Sequence, residues 1–331
     1  MDIGFLFGWA KEQGIKVPTK SDGSANINEL FAMYDEWKKK GGDRSAKRDE
    51  GDIPIKDSKS SKTVDKPSKK GDNKLVLDDD DSRAVYERIK SGNYYELDEL
   101  YKLPVFQRIA AKIDEFRQKY GDTSTIDTPE RRDMRKKWKD QFLKGEAAKT
   151  MPPNGTPLKK EYKATIVVGL PAAGKSTRIA NPLSEEQGAF IMDSDEMKKL
   201  MPEYHGGQGA DAVHDESKKV MKQAFAEFTS GSMKGTNLVI PVIGDEAGKL
   251  NKKYINALLA AGYDVEIAYK QADAKSSANR VVSRAISEGR FIPREVVEGY
   301  NDEAVRKAYN EVLATNYGGK RVKRSKYSEI K

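Results

Sequence analysis

The sequence predicts an α/β fold for residues 151–331, built on a parallel β-sheet flanked by helices, with a mainly helical extension before it. Three observations support this prediction. Short apolar segments rich in β-branched residues alternate with segments of helical periodicity. The first of these strands, residues 164–168, runs directly into a glycine-containing turn, and polar residues follow the end of the second strand. This alternation is typical of parallel sheets whose helices cover both faces.

Residues 1–42 are predicted to form a small helical module. Apolar side chains recur at helical spacing in two stretches, and the second stretch ends at Gly41-Gly42. Two short amphipathic helices bury little apolar surface. The module is therefore either a packing appendage or a docking site for a partner. The segment that follows, residues 43–81, is rich in Lys, Ser and Asp and is predicted to be a disordered linker.

Residues 82–150 are predicted to form a helical stem. A clear apolar stripe over residues 105–116 is closed by Gly121, and a further helix is expected to begin at Thr128-Pro129-Glu130, a capping residue followed by proline. The excess of basic residues over 130–150 could face a nucleic acid. No regular interleaving of aromatic residues marks a base-stacking surface there. We therefore favour a solvated face that braces the next domain.

A phosphate-binding loop follows the first strand. Residues 169–176, Gly-Leu-Pro-Ala-Ala-Gly-Lys-Ser, match the pattern Gly-x-x-x-x-Gly-Lys-Ser between a strand and a helix start. Backbone N–H groups of such a loop point into one concavity, and the helix N-terminus favours anions. Lys175 is expected to reach the β- and γ-phosphates of ATP (or GTP), and the Ser176 hydroxyl to hold Mg²⁺. The nucleotide-binding residues are therefore predicted to be Gly169, Pro171, Ala172, Ala173, Gly174, Lys175, Ser176 and Thr177.

Two carboxylates follow the second strand, residues 188–192. Asp193 and Asp195 should lie beside the phosphates, because the carboxyl ends of parallel strands line the ligand crevice. Phosphoryl transfer needs a base that orients and deprotonates the acceptor hydroxyl, and a carboxylate near the metal. We assign Asp195 as the base and Asp193 as a helix-capping or outer-sphere Mg²⁺ group. The alternative is that both only cap the next helix.

The remaining strands are predicted at residues 238–243 and 265–269, and a cluster of arginines follows the last of them. Arg280, Arg284 and Arg290 lie on a helix that enters a Gly/Pro turn. Guanidinium groups neutralise the charge that spreads over triphosphate oxygens in the transition state. The three arginines are therefore candidates for a mobile lid, although arginines are also common on helix surfaces.

Several motifs, in order, resemble the zeta toxin kinases. They are Gly-Leu-Pro-Ala-Ala-Gly-Lys-Ser-Thr, Met-Asp-Ser-Asp-Glu-Met-Lys, Pro-Glu-Tyr, Val-His-Asp-Glu-Ser, Asn-Leu-Val-Ile and Gly-Arg-Phe-Ile-Pro, within residues 129–319. The resemblance implies an ATP-dependent kinase acting on the 3′-hydroxyl of UDP-N-acetylglucosamine, with an inhibitory antitoxin as a candidate partner. It implies that Lys175 and Ser176 are the phosphate-loop pair, Asp195 the base, and Arg290 with Arg280 or Arg284 the lid arginines.

The chain departs from the family pattern at two points. Pro241 stands where the family often has a glutamate after Asn-Leu-Val-Ile. The family's further glutamate, on the helix after the second strand, has no assigned counterpart here. The resemblance therefore supports the kinase chemistry more strongly than it supports a sugar nucleotide as the acceptor.

Composition excludes disulfides and gives no sign of a membrane helix, and three hypotheses about function remain. The 331 residues include no cysteine, which excludes disulfides, and the net charge of +8 permits an anionic partner without identifying one. No secretory signal or membrane helix is evident, so we expect a cytoplasmic protein. The favoured hypothesis is a zeta-type small-molecule kinase. The others are a polynucleotide 5′-hydroxyl kinase or another small-molecule phosphotransferase, and a kinase carried as cargo of a larger assembly through residues 1–42.

Overall fold

The computed structural model describes residues 75–147 and 149–329, together with Ala10 and residues 15–19, 29, 30, 32, 33 and 36. The chain divides into two units, residues 1–68 and 69–331. In the first unit, the described residues at positions 10, 29, 30, 32, 33 and 36 are helical, and Ala10 and Leu30 are fully buried. Apart from these positions and residues 15–19, the predicted module and the linker up to position 74 lie outside the described residues.

The second unit begins with a helical stem that starts earlier than the sequence suggests. The backbone N–H groups of Val76 and Leu77 donate to the Ile286 carbonyl at 2.8 and 3.1 Å. This contact fixes the chain ahead of Ser82, the predicted start of the stem. Numbered within this unit, the stem helices are α1 (Asp80–Lys90), α2 (Leu97–Leu100), α3 (Pro104–Tyr120) and α4 (Pro129–Leu143).

Helix α4 begins as the sequence predicts. The Thr128 side chain accepts a hydrogen bond from the Arg131 N–H at 3.2 Å, and Pro129 occupies the first turn. Proline is suited to that position because the first N–H groups of a helix have no intrahelical partner.

The core of the unit is a five-stranded parallel sheet, which confirms the predicted α/β fold. Its order is β2-β3-β1-β4-β5, and each strand pairs in parallel with its neighbour. The central strand β1 is buried from its second residue onward, as expected where helices cover both faces. The strands are β1 (Lys163–Val168), β2 (Phe190–Ile191), β3 (Leu238–Val242), β4 (Asp264–Tyr269) and β5 (Lys323–Arg324).

Helices connect these strands and cover the sheet. A π-helical turn (Ser176–Ala180) leads into α5, and a second π-helical turn (Asn251–Ile255) joins α8 to α9. The helices are α5 (Asn181–Gln187), α6 (Ser194–Lys198), α7 (His214–Thr229), α8 (Ala247–Leu250), α9 (Asn256–Ala260), α10 (Ala274–Glu288), α11 (Arg294–Glu298) and α12 (Asp302–Ala314). Among the described residues, none of the helices combines the length and apolar character that crossing a bilayer requires.

Pro241 fits inside β3 because the neighbouring strand has already ended. The Val239 carbonyl accepts from the Met192 N–H at 2.8 Å, so residue 239 faces β2. Alternation along the strand turns residue 241 to the same side, beyond the last residue of β2 at position 191. A proline there removes no ladder hydrogen bond.

Helix α4 is attached to helix α7 and to Glu203 by buried ion pairs. Glu216 on α7 is fully buried and accepts from Arg131 Nε and Arg135 Nε, both at 2.8 Å. Arg131 also donates to Glu203 at 2.7 and 3.2 Å. These two arginines face the protein core, which supports the bracing interpretation of the basic stem.

Candidate active site

The candidate site lies at the carboxyl edge of the sheet, where the segments after β1 and β2 meet. The loop after β1 approaches the end of β4 closely. Gly169 has φ 155°, and a Cβ placed there would lie 2.6 Å from the Lys270 carbonyl oxygen. Glycine is therefore required at this position. The following helix begins at Lys175, and its first hydrogen bond runs from the Arg178 N–H to the Gly174 carbonyl at 2.9 Å.

The Lys175 ammonium folds over its own loop. Nζ donates to the carbonyl oxygens of Gly169 and Leu170 at 2.7 and 2.8 Å. Burial lowers the pKa of Lys175 to about 8, against the carboxylates of Asp193 and Asp195, which act to raise it. An anionic ligand bound beside this amine would therefore raise its pKa and favour the charged form.

Asp193 caps helix α6, and the pKa of its carboxyl group is raised. Its Oδ1 accepts from the Asp195 N–H at 2.9 Å, which is the capping contact that the sequence allowed. Burial, reinforced by the neighbouring charge of Asp195, raises the pKa of Asp193 above its usual range. A nearby cation would therefore stabilise the ionised form of this group.

Asp195 is an ionised carboxylate held between two cations. Arg290 Nη2 donates to its Oδ2, and Lys198 Nζ lies 3.4 Å from its Oδ1. Burial by itself would raise the pKa of Asp195, but the guanidinium of Arg290 and the ammonium of Lys198 lower it below the ordinary value. The side chains of Asp195 and Arg290 are 25% and 17% exposed, so this ion pair is only partly screened by water.

The three arginines that the sequence analysis assigned to a lid occupy different places. Arg290 contacts Asp195, and Arg284 is close enough for its charge to act on both Asp195 and Lys175. Arg284 also donates to Glu288 at 3.1 and 3.2 Å. Arg280 instead reaches the tip of the phosphate loop, where Nη1 lies 3.4 Å from the Ala172 carbonyl oxygen. Two of the three thus converge on the carboxylates.

The segment Pro202–Gly207 forms a wall of the site beside Arg290. The Phe291 N–H donates to the Gly207 carbonyl at 3.4 Å. A Cβ at Gly207, whose φ is +118°, would lie 2.7 Å from the Gly289 carbonyl oxygen and 2.8 Å from the Arg290 Cα. The loop backbone therefore packs directly against the backbone that carries Arg290. Tyr204, within the segment, is buried.

Three residues of the site were not predicted from the sequence. Lys198 is 7% exposed and pairs with Asp195 three residues earlier, a spacing that places two side chains on one helix face. That spacing was a usable signal. Tyr300 is buried near Arg290 and Arg284, and the Tyr94 hydroxyl accepts from Arg280 Nε at 3.0 Å. Neither tyrosine lies in a pattern that marks such a role.

The part of the chain that contains the candidate site matches a known family. A family model described as Zeta toxin matches residues 147–324. A search of curated proteins gave no match.

Among solved structures, the chain is similar to one from the PezAT chromosomal toxin–antitoxin system of Streptococcus pneumoniae. The identity is 21% over 47% of this chain and 63% of that chain, with a TM-score of 0.37. It is also similar to the structure of AvrRxo1-ORF1 with AvrRxo1-ORF2 and ATP, at 21% identity over 56% of this chain and 60% of that chain, with a TM-score of 0.41. The chain spans about three fifths of the length of each of these proteins.

Proposed function

The chain belongs to the zeta toxin family of P-loop kinases, and from this premise we propose that it transfers the γ-phosphate of ATP to a hydroxyl group of a sugar nucleotide. The proposed acceptor is the 3′-hydroxyl of UDP-N-acetylglucosamine, which the family resemblance suggests. One observation carries the proposal. The ammonium of Lys175, the carboxylates of Asp193 and Asp195 and the guanidinium of Arg290 act on one another at the end of β1 and β2.

The donor side of the proposed reaction uses the phosphate loop. The loop amides and the positive end of the helix that begins at Lys175 would hold the β- and γ-phosphates. Lys175 would exchange the Gly169 and Leu170 carbonyls for phosphate oxygens. This exchange favours the ammonium, because the phosphate charges oppose the effect of burial on its pKa.

A Mg²⁺ ion fits this donor set as a companion of the nucleotide. The described residues contain no group of three or more carboxylate or histidine ligands. Mg²⁺ bound with a nucleotide needs only one or two protein ligands beside the phosphates. Ser176 and Asp193 would hold it, either directly or through water. The ion would supply positive charge to the transferred phosphoryl group.

The acceptor side depends on a change at Asp195. While Arg290 is paired with it, the carboxylate is a weak base, because the guanidinium lowers its pKa. A triphosphate would draw Arg290 towards its own oxygens. The pKa of Asp195 would then rise, and the carboxylate would be free to orient and deprotonate the acceptor hydroxyl.

A screen of phosphate donors and acceptors tests the proposal. The purified chain and Lys175→Ala would be incubated with ATP or GTP and Mg²⁺ against sugar nucleotides, nucleosides and 5′-hydroxyl oligonucleotides. We expect nucleoside diphosphate release with a sugar nucleotide and none from Lys175→Ala, which should remain folded. Release with oligonucleotides alone would replace the proposal with the polynucleotide kinase hypothesis. No release with any acceptor would contradict kinase activity altogether.

Two partner classes belong to the proposal. An inhibitory antitoxin is one, because the family is defined by a toxin. A docking partner for residues 1–42 is the other, and it rests on the sequence alone because most of that segment lies outside the described residues.

A further inference from the structure

Tyr94 brings a side chain of the stem to the edge of the candidate site. It lies between α1 and α2, in a stretch that the family match does not cover. Its hydroxyl accepts a hydrogen bond from Arg280 Nε at 3.0 Å, and the guanidinium carbon of Arg280 lies 5.7 Å from the centre of its ring. Neither side chain has yet a part in the proposed reaction.

Backbone contacts beside each partner fix the pairing of Tyr94 with Arg280. Asn279 precedes Arg280 on α10 and is fully buried. Its carboxamide accepts from the Tyr95 N–H and donates to the Tyr95 carbonyl, both at 2.9 Å, and it donates to the Lys275 carbonyl at 2.9 Å. The residues next to Tyr94 and Arg280 are therefore joined to each other, which holds the two side chains in register.

Arg280 faces the phosphate loop and remains accessible. Its Nη1 lies 3.4 Å from the carbonyl oxygen of Ala172, at the tip of the loop. A guanidinium group carries five N–H donors, and the contacts to Tyr94 and Ala172 engage only two of its nitrogen atoms. Arg280 is exposed, so its other donors can reach a ligand.

The position of Arg280 indicates which part of a nucleotide it would contact. The backbone N–H groups of a phosphate loop cradle the α- and β-phosphates. Arg290 lies elsewhere, because it contacts the carboxylate of Asp195. The anionic groups nearest to Arg280 in a nucleotide complex are therefore the phosphates that the loop itself holds. A phosphate oxygen would be a stronger partner for Nη1 than the long contact to the Ala172 carbonyl.

We propose that Tyr94 is a positioning residue for the donor nucleotide. By accepting from Nε, its hydroxyl fixes one edge of the planar guanidinium group of Arg280 and turns the two Nη groups towards the α- and β-phosphates. Tyr94 acts through Arg280 and does not contact the ligand. This inference rests on the proposed function for the identity of the ligand. It gives the stem a part in nucleotide binding.

Tyr94→Phe isolates the hydroxyl, because the aromatic ring beneath Arg280 is kept. The full-length variant and the wild type would be titrated calorimetrically with ADP and with a non-hydrolysable ATP analogue, each with Mg²⁺. We expect both Kd values to rise about fivefold, as for the loss of one net hydrogen bond, because both ligands carry the α- and β-phosphates. The melting temperature without ligand should not change, since Tyr94 is only half-buried and water can replace its hydroxyl.

Two further variants separate positioning from a structural role. In an Arg280→Gln background, Tyr94→Phe should have no additional effect on either Kd, because the group through which it acts is gone. Tyr95→Phe is the matched control. It removes a hydroxyl from the adjacent residue, whose ring packs against the guanidinium of Arg88 at 3.8 Å. We expect it to leave both Kd values at the wild-type level.

Three results would overturn the inference. Tyr94→Phe could leave both Kd values unchanged. It could weaken binding of the ATP analogue alone, which would place Arg280 at the terminal phosphate. It could weaken binding equally in the Arg280→Gln background, which would show that the hydroxyl does not act through Arg280. A fivefold loss for both nucleotides in a chain that phosphorylates no acceptor would instead contradict the proposed function and leave the inference standing.

Discussion

At the scale of single residues, Asp195 shows how an ion pair could keep a carboxylate a weak base until a ligand binds. It is ionised in the structure because Arg290 and Lys198 lie beside it. The same cations make it a poor base. The pKa of Asp195 would therefore rise only when a ligand competes for Arg290. Binding of the triphosphate would in this way make Asp195 an effective base.

Substitution of Asp195 tests this assignment. We expect Asp195→Asn to lower kcat by ~10²–10⁴, the usual range for a positioned base. ATP affinity should not fall, because the phosphate loop is untouched and Arg290 no longer has to leave a carboxylate. Steady-state kinetics and calorimetric titration would measure the two quantities. Asp264→Asn is the matched control, since Asp264 lies at the opposite end of the sheet and pairs with exposed Lys323. A kcat for Asp195→Asn within about threefold of wild type would remove Asp195 as the base.

Lys175 predicts a dependence of nucleotide binding on pH. Its pKa in the free protein is lowered to about 8, and bound phosphates would raise it. Above pH 8, binding must therefore take up a proton, and the Kd should rise by up to about tenfold per pH unit. Titrations from pH 7.5 to 9.5 would show this rise. Lys175→Ala should bind more weakly and without the same dependence, and a flat profile in the wild type would contradict the account.

The site residues that the sequence predicts differ physically from those that it does not predict. Lys175 and Asp193 could be located because a motif and a strand end fix their positions along the chain. Tyr94 could not, since its hydroxyl meets Arg280, 186 positions further along the chain, only in the folded structure.

At the scale of elements, helix α4 links the stem to the wall of the site. Arg131 contacts Glu216 on α7 and Glu203 in Pro202–Gly207, and the Gly207 carbonyl accepts from the Phe291 N–H next to Arg290. A continuous series of contacts therefore runs from the stem to the arginine that holds Asp195. Helix α4 ends before residue 147, where the family match begins.

Breaking this link should destabilise the protein. Arg131→Gln leaves the fully buried Glu216 with one arginine fewer, and we expect a loss of about 3–5 kcal/mol in the free energy of unfolding. Urea denaturation would measure it. Arg132→Gln is the matched control, because Arg132 forms an exposed pair with Asp127 and should change stability by no more than about 0.5 kcal/mol. Equal effects of the two variants would contradict the bracing role of Arg131.

Elements were predicted better where periodicity is strong than where tertiary contacts decide. The strands at 163–168, 238–242 and 264–269 lie where the apolar segments indicate. The sequence predicts the second strand over residues 188–192, but only two residues of β2 pair with β3, opposite Leu238 and Val239. The π-helical turns had no signal in the sequence, since they change the hydrogen-bond spacing without changing the apolar pattern.

At the scale of the whole molecule, the stem belongs to the same compact unit as the candidate site. Residues 69–331 form one compact unit, while the family match covers 147–324. The Asn279 carboxamide on α10 adds a second attachment, as it bonds the backbone N–H and carbonyl of Tyr95, both at 2.9 Å. The sequence analysis favoured a stem that braces the next domain but placed its basic residues on a solvated face. Arg131 and Arg135 are buried instead, which composition cannot distinguish from a solvated face.

Two truncations would test where the unit ends. A chain that begins at residue 69 should fold and keep wild-type turnover, because it retains the whole compact unit. A chain that begins at residue 147 should show no cooperative unfolding by circular dichroism, since it exposes the apolar surface that α3 and α4 cover and leaves Glu216 without its arginines. A cooperative, active 147–331 fragment would show that the stem is dispensable.

The most direct test of the central claim follows the γ-phosphate itself. ATP labelled at that phosphate would be supplied to the wild type and to Lys175→Ala with Mg²⁺ and UDP-N-acetylglucosamine, and the products would be separated. The account predicts one phosphomonoester on the sugar nucleotide for each ADP formed by the wild type, and no product from Lys175→Ala. Label released only as inorganic phosphate, or an intact ATP pool, would contradict transfer to this acceptor.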